Sequence, residues 1–420
     1  MTADADQVRE RLRSVKDPVL GKDIATLGLI DDVRVEDGVA TVAVAFNAPY
    51  SGDEKAMGDR IREEIEALGL EPNVTVSLSW EDPDSPLPDV RNVVPIASGK
   101  GGVGKTTVAT NLATALAESG ARVGLLDADI YGPNVPGMIG IEAKPGLTED
   151  GKIIPPEADG IKLMSMAFLS EDDTDPAMLR GPMIDKLLSE LIEETDWGHL
   201  DYLLVDLPPG TGDEQLTLLQ NVPVTGAVVV TTPEDIALED VRKGIRMFLD
   251  RGTPVLGIVE NMSSFRCQSC GDEHELYGSG GGADIAAEYD VPLLAEIPMD
   301  PDIRSGGDAD KPVTVLQGTP AADRFFDLRD RVTDRVGAVN RAKRAGLDPD
   351  DPDSPLVASP EAEAEASRTA TGEPGASGGG GGCGGGGDGG AGGGGGDGGG
   401  GAGGGGAGGG GAGGGGGCGD

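Results

Sequence analysis

The chain has few aromatic residues, histidines, cysteines and cations. Of its 420 residues only 3% are aromatic, two are histidine and four are cysteine, and 33 Lys and Arg stand against 73 Asp and Glu. The net charge of −40 is spread along the whole sequence. It argues against binding to nucleic acid or to an anionic membrane, because both need clustered cations. Such a surface is typical of a high-salt cytoplasm, where salt screens self-repulsion, so we interpret the chain as halophilic.

Long apolar runs are also missing. No stretch of about 18 apolar residues occurs, so we expect no membrane span. The first residues, Met1 to Asp6, are polar and acidic, which does not fit a secretory signal. These features predict a cytoplasmic protein, and in a reducing cytoplasm a C-x-x-C pair is more often metal-binding or catalytic than a disulfide.

Glycine, in contrast, is abundant, with 72 residues. From Gly378 onward the chain is almost entirely glycine, and the stretch before it is acidic. Nothing in this region can bury enough apolar surface to offset the entropy of ordering, so we predict a disordered tail over 346–420. The tail holds Cys383 and Cys418, which could visit a metal site elsewhere, although a solvated tail without that role is the alternative.

Residues 98–107, SGKGGVGKTT, carry the most informative motif. They match G-x-x-x-x-G-K-[ST], a loop whose backbone N–H groups cradle phosphates at the start of a helix. Lys105 is expected to reach the β- and γ-phosphates of a nucleotide, and Thr106 to hold Mg²⁺. The predicted nucleotide-contacting residues of this loop are Gly99, Lys100, Gly101, Gly102, Val103, Gly104, Lys105, Thr106 and Thr107.

Short apolar strands alternate with helices over residues 92–345, which predicts a parallel sheet covered on both faces. The strands are predicted near 93–97, 123–127, 161–166, 202–206, 226–231 and 255–260. Residues 1–80 predict a small α+β domain, and the proline-rich, acidic residues 81–91 predict a linker. The expected fold class is α/β, with a parallel-sheet P-loop NTPase domain after the small α+β domain and before the disordered Gly-rich tail.

Two of these strands end in an aspartate. The apolar run Tyr202 to Asp206 ends in Asp206, which we expect to hold Mg²⁺. The predicted strand 123–127 ends in Asp127, with Asp129 two residues on, and one of these carboxylates would position the attacking water. Simple capping of a turn or helix is the alternative for this pair. Ligands bind at the carboxyl ends of parallel strands, so all three acids are expected near the phosphate loop.

Three stretches together resemble the Mrp/ApbC family of deviant-Walker P-loop ATPases, which act as iron–sulfur cluster carriers. They are KGGVGKT in the phosphate loop, LDADIYGP at 126–133 and DLPPGTGD at 206–213. The resemblance implies that Lys100 reaches the nucleotide site of the partner in a homodimer. It implies that Asp129 positions the water and that Asp127 lies on the Mg²⁺ side, so that Lys100, Lys105 and Asp129 are the catalytic set.

The same resemblance assigns a base pocket. It implies that Asn261, at the end of the sixth predicted strand, contacts adenine. It also implies that Pro298, Met299 and Asp300 line the pocket.

A cysteine pair, Cys267 and Cys270, follows the sixth predicted strand. Two thiolates cannot complete a tetrahedral site, but the same pair from a second copy across a two-fold axis can. The resemblance implies a [4Fe–4S] cluster shared by a homodimer. Zinc at the same place and a redox dithiol are the alternatives. His274 is interpreted as a surface histidine.

The first domain resembles the small FeS-assembly domain often fused to these ATPases. Members commonly carry a cysteine where this chain reads Asn47-Ala48-Pro49. We therefore expect this domain to dock on or regulate the ATPase rather than to supply a cluster ligand, with a passive folded module as the alternative.

The sequence thus predicts a homodimeric ATPase that uses ATP and Mg²⁺ and delivers a [4Fe–4S] cluster to apo iron–sulfur proteins, without nucleic acid or membrane as partner. A MinD/ParA-type spatial organiser and a zinc-bridged nucleotide-binding scaffold are the alternatives. A helix over 321–345 is interpreted as packing into the core rather than on a membrane. The residues of its apolar face are Phe325, Leu328, Val332, Val336 and Val339.

Overall fold

The computed structural model describes most of the chain up to residue 348. The described residues are 3–77, 85–130, 132–169, 181–210, 212, 215, 222–267, 269–270, 272–276, 278, 280–308, 311–315 and 318–348. The predictions for Cys383, Cys418 and the tail beyond residue 348 lie outside them, as do Tyr131, Thr211 and Asp213 of the family-like stretches.

Helices and strands alternate along the described residues. The helices are α1 (Ala5–Arg11), α2 (Gly52–Glu66), α3 (Lys105–Glu118), α4 (Val135–Ile139), α5 (Gly181–Glu193), α6 (Asp235–Leu249), α7 (Gly281–Glu288), α8 (Pro301–Asp308) and α9 (Pro320–Arg344). The strands are β1 (Ile30–Glu36), β2 (Val39–Val44), β3 (Glu71–Val76), β4 (Val93–Ser98), β5 (Val123–Asp127), β6 (Gly146–Leu147), β7 (Ile153–Ile154), β8 (Glu157–Ala158), β9 (Ile161–Ser165), β10 (Tyr202–Asp206), β11 (Ala227–Thr231), β12 (Val255–Arg266), β13 (Glu273–His274) and β14 (Leu293–Met299).

The first three strands form a sheet of their own, in the order β1-β2-β3. β1 and β2 are antiparallel, and both residues of the Asp37-Gly38 turn between them have positive φ, as the sequence Asp-Gly favours in a tight hairpin. β3 runs parallel to β2, which requires a crossover. That crossover contains α2, whose first turn is capped by the Ser51 hydroxyl and whose buried face packs on the sheet.

Among the described residues the central sheet has nine strands, in the order β13-β12-β11-β4-β10-β5-β9-β8 with β14 beside β12. Its middle strands β4, β10, β5 and β11 pair in parallel and are buried along their whole length. Helices cover such a sheet on both faces, so the predicted architecture is confirmed. The sheet is mixed rather than wholly parallel, because the short strands β8 and β13 pair antiparallel at its margins.

Two predictions about the end of this sheet are wrong. The sixth predicted strand does not end at residue 260, because β12 continues to Arg266 through pairing with β14 and β13. Asn261 therefore lies within the strand rather than at its end. β14 itself was not predicted from the sequence.

The apolar face of α9 packs into the core, as predicted. Each of its five residues is at most 1% exposed: Phe325, Leu328, Val332, Val336 and Val339. Among the described helices none is long and apolar enough to span a bilayer.

The amino-terminal sheet and the central sheet share one hydrophobic core. Polar links join them at the edge where the parallel strands begin. Tyr202, the first residue of β10, donates its hydroxyl to the carbonyl of Pro49 at 2.7 Å, and Asn92 donates its side-chain amide to the carbonyl of Asn47 at 2.7 Å. The segment in which the family commonly carries a cysteine is therefore fastened at the edge of the sheet opposite the phosphate loop.

Candidate functional site

The phosphate loop connects the end of β4 to the start of α3. Gly102 and Gly104 have φ of +83° and +85°, a region that side-chain-bearing residues rarely adopt. Gly99 is packed so closely against α6 that an added Cβ would lie 2.6 Å from the carbonyl oxygen of Asp240. The motif glycines thus fit the loop where its backbone turns and where it meets another element.

Lys105 and Thr106 meet the carboxylate of Asp206 at the mouth of this loop. Lys105 Nζ lies 2.6 Å from Asp206 Oδ1, and the Thr106 hydroxyl donates to Oδ2 at 2.7 Å. Burial raises the pKa of Asp206, and the ammonium of Lys105 opposes that rise. A hydroxyl and a carboxylate side by side are oxygen donors of the kind Mg²⁺ prefers, so these residues fit the predicted metal site.

Asp127 ends the neighbouring strand β5 and is fully buried. Its Oδ2 accepts hydrogen bonds from the Ser165 hydroxyl at 2.9 Å and from the Val135 N–H at 3.2 Å. Burial, with the nearby charge of Asp206, raises the pKa of Asp127 to about 7. Asp129 lies close by, with Oδ2 at 3.9 Å from Lys105 Nζ. The structure therefore gathers the three predicted acids around the loop, and it adds Ser165, which sequence reasoning missed.

Lys100 is placed differently from the other loop residues. Within one chain its Nζ lies 3.5 Å from Glu234 Oε2, and both side chains are 43% exposed. Such an exposed pair contributes little stability, so it opposes only weakly a movement of Lys100 towards another anion. Glu234 was not predicted; its only sequence signal is its position just after the carboxyl end of β11.

A cavity of about 830 Å³ opens beside the phosphate loop. Asn261 lies on its wall and donates its side-chain amide to the carbonyl of Val103 at 2.8 Å. Predicted base-pocket residues and unpredicted ones line it together. They are Gly104, Thr106, Thr107, Asn134, Gly137, Met138, Asn261, Met262, Phe265, Pro298, Met299, Asp300, Pro301, Ile303, Arg304 and Gly307.

The cysteine pair lies in the turn of the hairpin formed by β12 and β13. The Cys267 N–H donates to the carbonyl of Asp272 at 2.9 Å, which closes the turn. Both thiols are free, with Cys270 exposed and Cys267 partly exposed. Backbone N–H groups of Cys270 and Ser269 lower the pKa of the Cys267 thiol. A thiolate is the form that binds metals, so the pair fits a soft metal or cluster.

His274 is exposed on the short strand β13. Over the described residues, no group of three or more His, Cys, Asp or Glu side chains is arranged so that it could hold a metal ion by itself.

Two known protein families match this chain. Residues 89–333 match the ParA family described as NUBPL iron-transfer P-loop NTPase, and residues 5–78 match the family described as iron-sulfur cluster assembly protein. The chain belongs to the NUBPL-type iron-transfer P-loop NTPases. The family resemblance predicted from three short motifs is thereby confirmed, as is the α/β fold class predicted from the alternation of strands and helices.

Individual relatives carry names that agree with the family match. The chain is 43% identical over 329 residues to the iron-sulfur cluster carrier protein of Synechocystis sp., a match that covers 76% of this chain and 93% of the relative. It is 43% identical over 254 residues to the iron-sulfur cluster transfer protein NUBPL of Dictyostelium discoideum, covering 60% and 78% of the two chains. A nucleotide-binding protein of Archaeoglobus fulgidus, solved in complex with ADP, superposes with a TM-score of 0.50 at 38% identity, covering 57% and 93%.

Proposed function

We propose that the protein is an ATP-dependent carrier that binds a [4Fe–4S] cluster in a homodimer and transfers it to apo iron–sulfur proteins. One observation carries the proposal. The cysteine hairpin is the direct continuation of β12, the strand that places Asn261 against the phosphate loop. Relatives named as cluster carriers or cluster transfer proteins support the cargo.

The residues around the phosphate loop would have separate roles in ATP hydrolysis. Lys105 would bind the β- and γ-phosphates, while Thr106 and Asp206 would hold Mg²⁺ with Asp127 behind them. The metal, when bound, would neutralise charge that develops on the phosphates. Asp129 would orient the attacking water, and Lys100 would act from the partner copy as a second cation at the γ-phosphate.

The cluster would be held as cargo by four thiolates, two from each copy. Cys267 and Cys270 of one chain supply half of that set, and an isologous interface brings the same hairpin from both chains together. Zinc could bind the same four thiolates, so the reconstitution experiment has to separate iron from zinc. Nothing comparable to the cysteine hairpin favours a MinD/ParA-type spatial organiser, and we regard that function as the weaker candidate.

Anaerobic reconstitution with iron and sulfide tests the proposal. The wild type should form a brown dimer with about four irons and four sulfides, and Cys267→Ser/Cys270→Ser should lose them. The matched control is Cys383→Ser/Cys418→Ser, which removes the other two thiols and should keep the cluster. A colourless protein that carries zinc, or loss of the cluster in the control alone, would contradict the proposal.

A further inference from the structure

β12 physically connects the nucleotide cavity to the cysteine hairpin. Asn261 and Phe265 of this strand line the cavity, and Cys267 follows Phe265 after a single intervening residue, Arg266. The strand is fully buried up to Asn261 and half-buried from Met262 to Arg266. A change at the cavity wall is therefore only two residues from the first thiol.

The middle of this connection departs from regular strand geometry. Met262 has a φ of +58°, which is uncommon for a residue with a side chain, and the ladder between β12 and β14 shifts register between Asn261 and Phe265. Backbone strain of this kind is unfavourable and persists only where neighbouring contacts hold it. Met262 also packs beside Gly104 of the phosphate loop. The strained residue thus lies between the nucleotide cavity and the hairpin.

An ion pair crosses from the hairpin to the rim of the cavity. Arg266 Nη1 lies 4.0 Å from Asp300 Oδ2. Asp300 lines the cavity and its side chain is only 8% exposed, while its other oxygen accepts the Asp302 N–H at 2.8 Å. Asp300 therefore lines the cavity and also lies beside Arg266, the residue next to Cys267.

We propose that Arg266 is a positioning residue that ties the cysteine hairpin to the cavity rim through Asp300, and that a bound nucleotide loosens this tie. A nucleotide that donates a hydrogen bond to the Asp300 carboxylate competes with Arg266 for that carboxylate. Loss of the pair frees the hairpin and makes its thiols more accessible. By linkage, the tie in turn weakens nucleotide binding by the same factor. This inference rests on the proposed function only in taking the cavity ligand to be a nucleotide.

The rate of thiol alkylation in the metal-free protein tests the inference. All proteins carry Cys383→Ser/Cys418→Ser, so that only Cys267 and Cys270 react with iodoacetamide. Rates are measured on the high-pH plateau, where both thiols are fully ionised. There the charge of Arg266 can no longer change the rate by changing the fraction of each thiol that is ionised. Saturating MgADP should raise the rate about fivefold or more. Binding of ADP is measured on the same samples by calorimetry.

Two substitutions of Arg266 and one control give the decisive comparison. Arg266→Gln should react without ADP as fast as the ADP-bound parent, should no longer respond to ADP, and should bind ADP about fivefold more tightly. Arg266→Lys keeps a cation and should retain most of the response. Arg242→Gln removes an ion pair with Glu288 on another surface and should behave as the parent does.

The outcomes separate this inference from the proposed function. If ADP binds but leaves the alkylation rate unchanged, or if Arg266→Gln keeps the full response, the tie is overturned and the carrier function stands. If calorimetry detects no binding of ADP or ATP, the proposed nucleotide site fails and the inference fails with it.

Discussion

Arg341, in the last turn of α9, forms an ion pair with Asp17, which lies 324 residues earlier in the chain. Neither side chain has any exposed surface. A second carboxylate, Glu54 Oε1, lies 3.2 Å from Arg341 Nη1. One buried cation at the end of the chain's last described helix thus lies against two buried acids of the amino-terminal residues, and it opposes the rise to about 7 that burial causes in the pKa of Glu54.

Removing that cation should destabilise the whole fold. Arg341→Met keeps the side-chain volume but leaves Asp17 and Glu54 buried without a counter-charge, so we expect the free energy of unfolding to fall by about 3–5 kcal/mol. Urea denaturation at constant high salt measures it. The exposed Arg13→Met is the control and should change stability by less than about 0.5 kcal/mol. Equal losses in the two variants would contradict the buried pair's role.

The free energy of unfolding should depend on pH through Asp53, which precedes Glu54 in the chain. Burial and then repulsion from Asp334 raise the pKa of Asp53 from 3.8 to about 6, against the opposing charge of Arg341. A carboxyl whose pKa is raised by folding stabilises the fold fully below its unfolded pKa, and that contribution is lost as the pH rises through about 6. Stability should therefore decline between pH 4 and pH 7.

Asp53→Asn isolates this effect. At pH 8 the variant should be about 1 kcal/mol more stable than the wild type, a figure reduced because the side chain is partly exposed. At pH 4 the two should be equally stable. The difference is read from urea midpoints across the pH range, and a difference that does not change with pH would exclude Asp53 as its source.

Mixing two inactive variants tests whether Lys100 acts across a dimer. In a mixed dimer of Lys100→Ala and Asp129→Asn, the Lys100→Ala copy keeps its own Asp129 and receives an intact Lys100 from its partner. One site in each mixed dimer is then complete, so random exchange should restore about a quarter of the wild-type ATPase rate. Each variant alone should stay at least about a hundredfold slower than wild type. No recovery on mixing would place Lys100 in the site of its own chain, beside Glu234.

Two glycines of the phosphate loop should differ in how much stability is lost when each is replaced by alanine. Gly99→Ala would force a Cβ against the backbone of Asp240, so we expect a loss of about 2–3 kcal/mol in stability. An added Cβ at Gly101 meets only Pro209, at 3.9 Å, so Gly101→Ala should cost less than about 1 kcal/mol. Thermal unfolding without nucleotide measures the stability of both variants. Similar losses would show that close packing against Asp240 is not the reason for a glycine at position 99.

Much of the site could be predicted because its signals are local. The phosphate loop is one contiguous motif, and Asp206 ends an apolar strand that is recognisable on its own. Ser165 could not be predicted, since it meets Asp127 only after the chain has passed through 38 further positions. Arg341 could not be assigned either, because a basic last turn normally predicts a solvated helix end and its partners are far away in sequence.

The length of β12 could not be predicted either, because it is also set by contacts with residues that are distant in the sequence. From Val255 to Val259 the strand is apolar and buried, which its sequence shows. Beyond that residue it is held by pairing with β14 and β13, and no local pattern in the half-buried residues 262–266 reports such pairing. The proposed connection between the nucleotide cavity and the cysteine hairpin lies in residues 262–266, whose strand structure the sequence does not predict.

The amino-terminal sheet is fastened where the parallel strands begin, and α3, about 21 Å long, separates that place from the phosphate loop. Two copies that face each other across their nucleotide sites would therefore carry their first domains at the two far poles. A fluorescent label or a fused protein attached to that domain would not interfere with the interface between the two copies. Labels on the first domain would therefore report on the proposed assembly of two copies without altering their nucleotide sites.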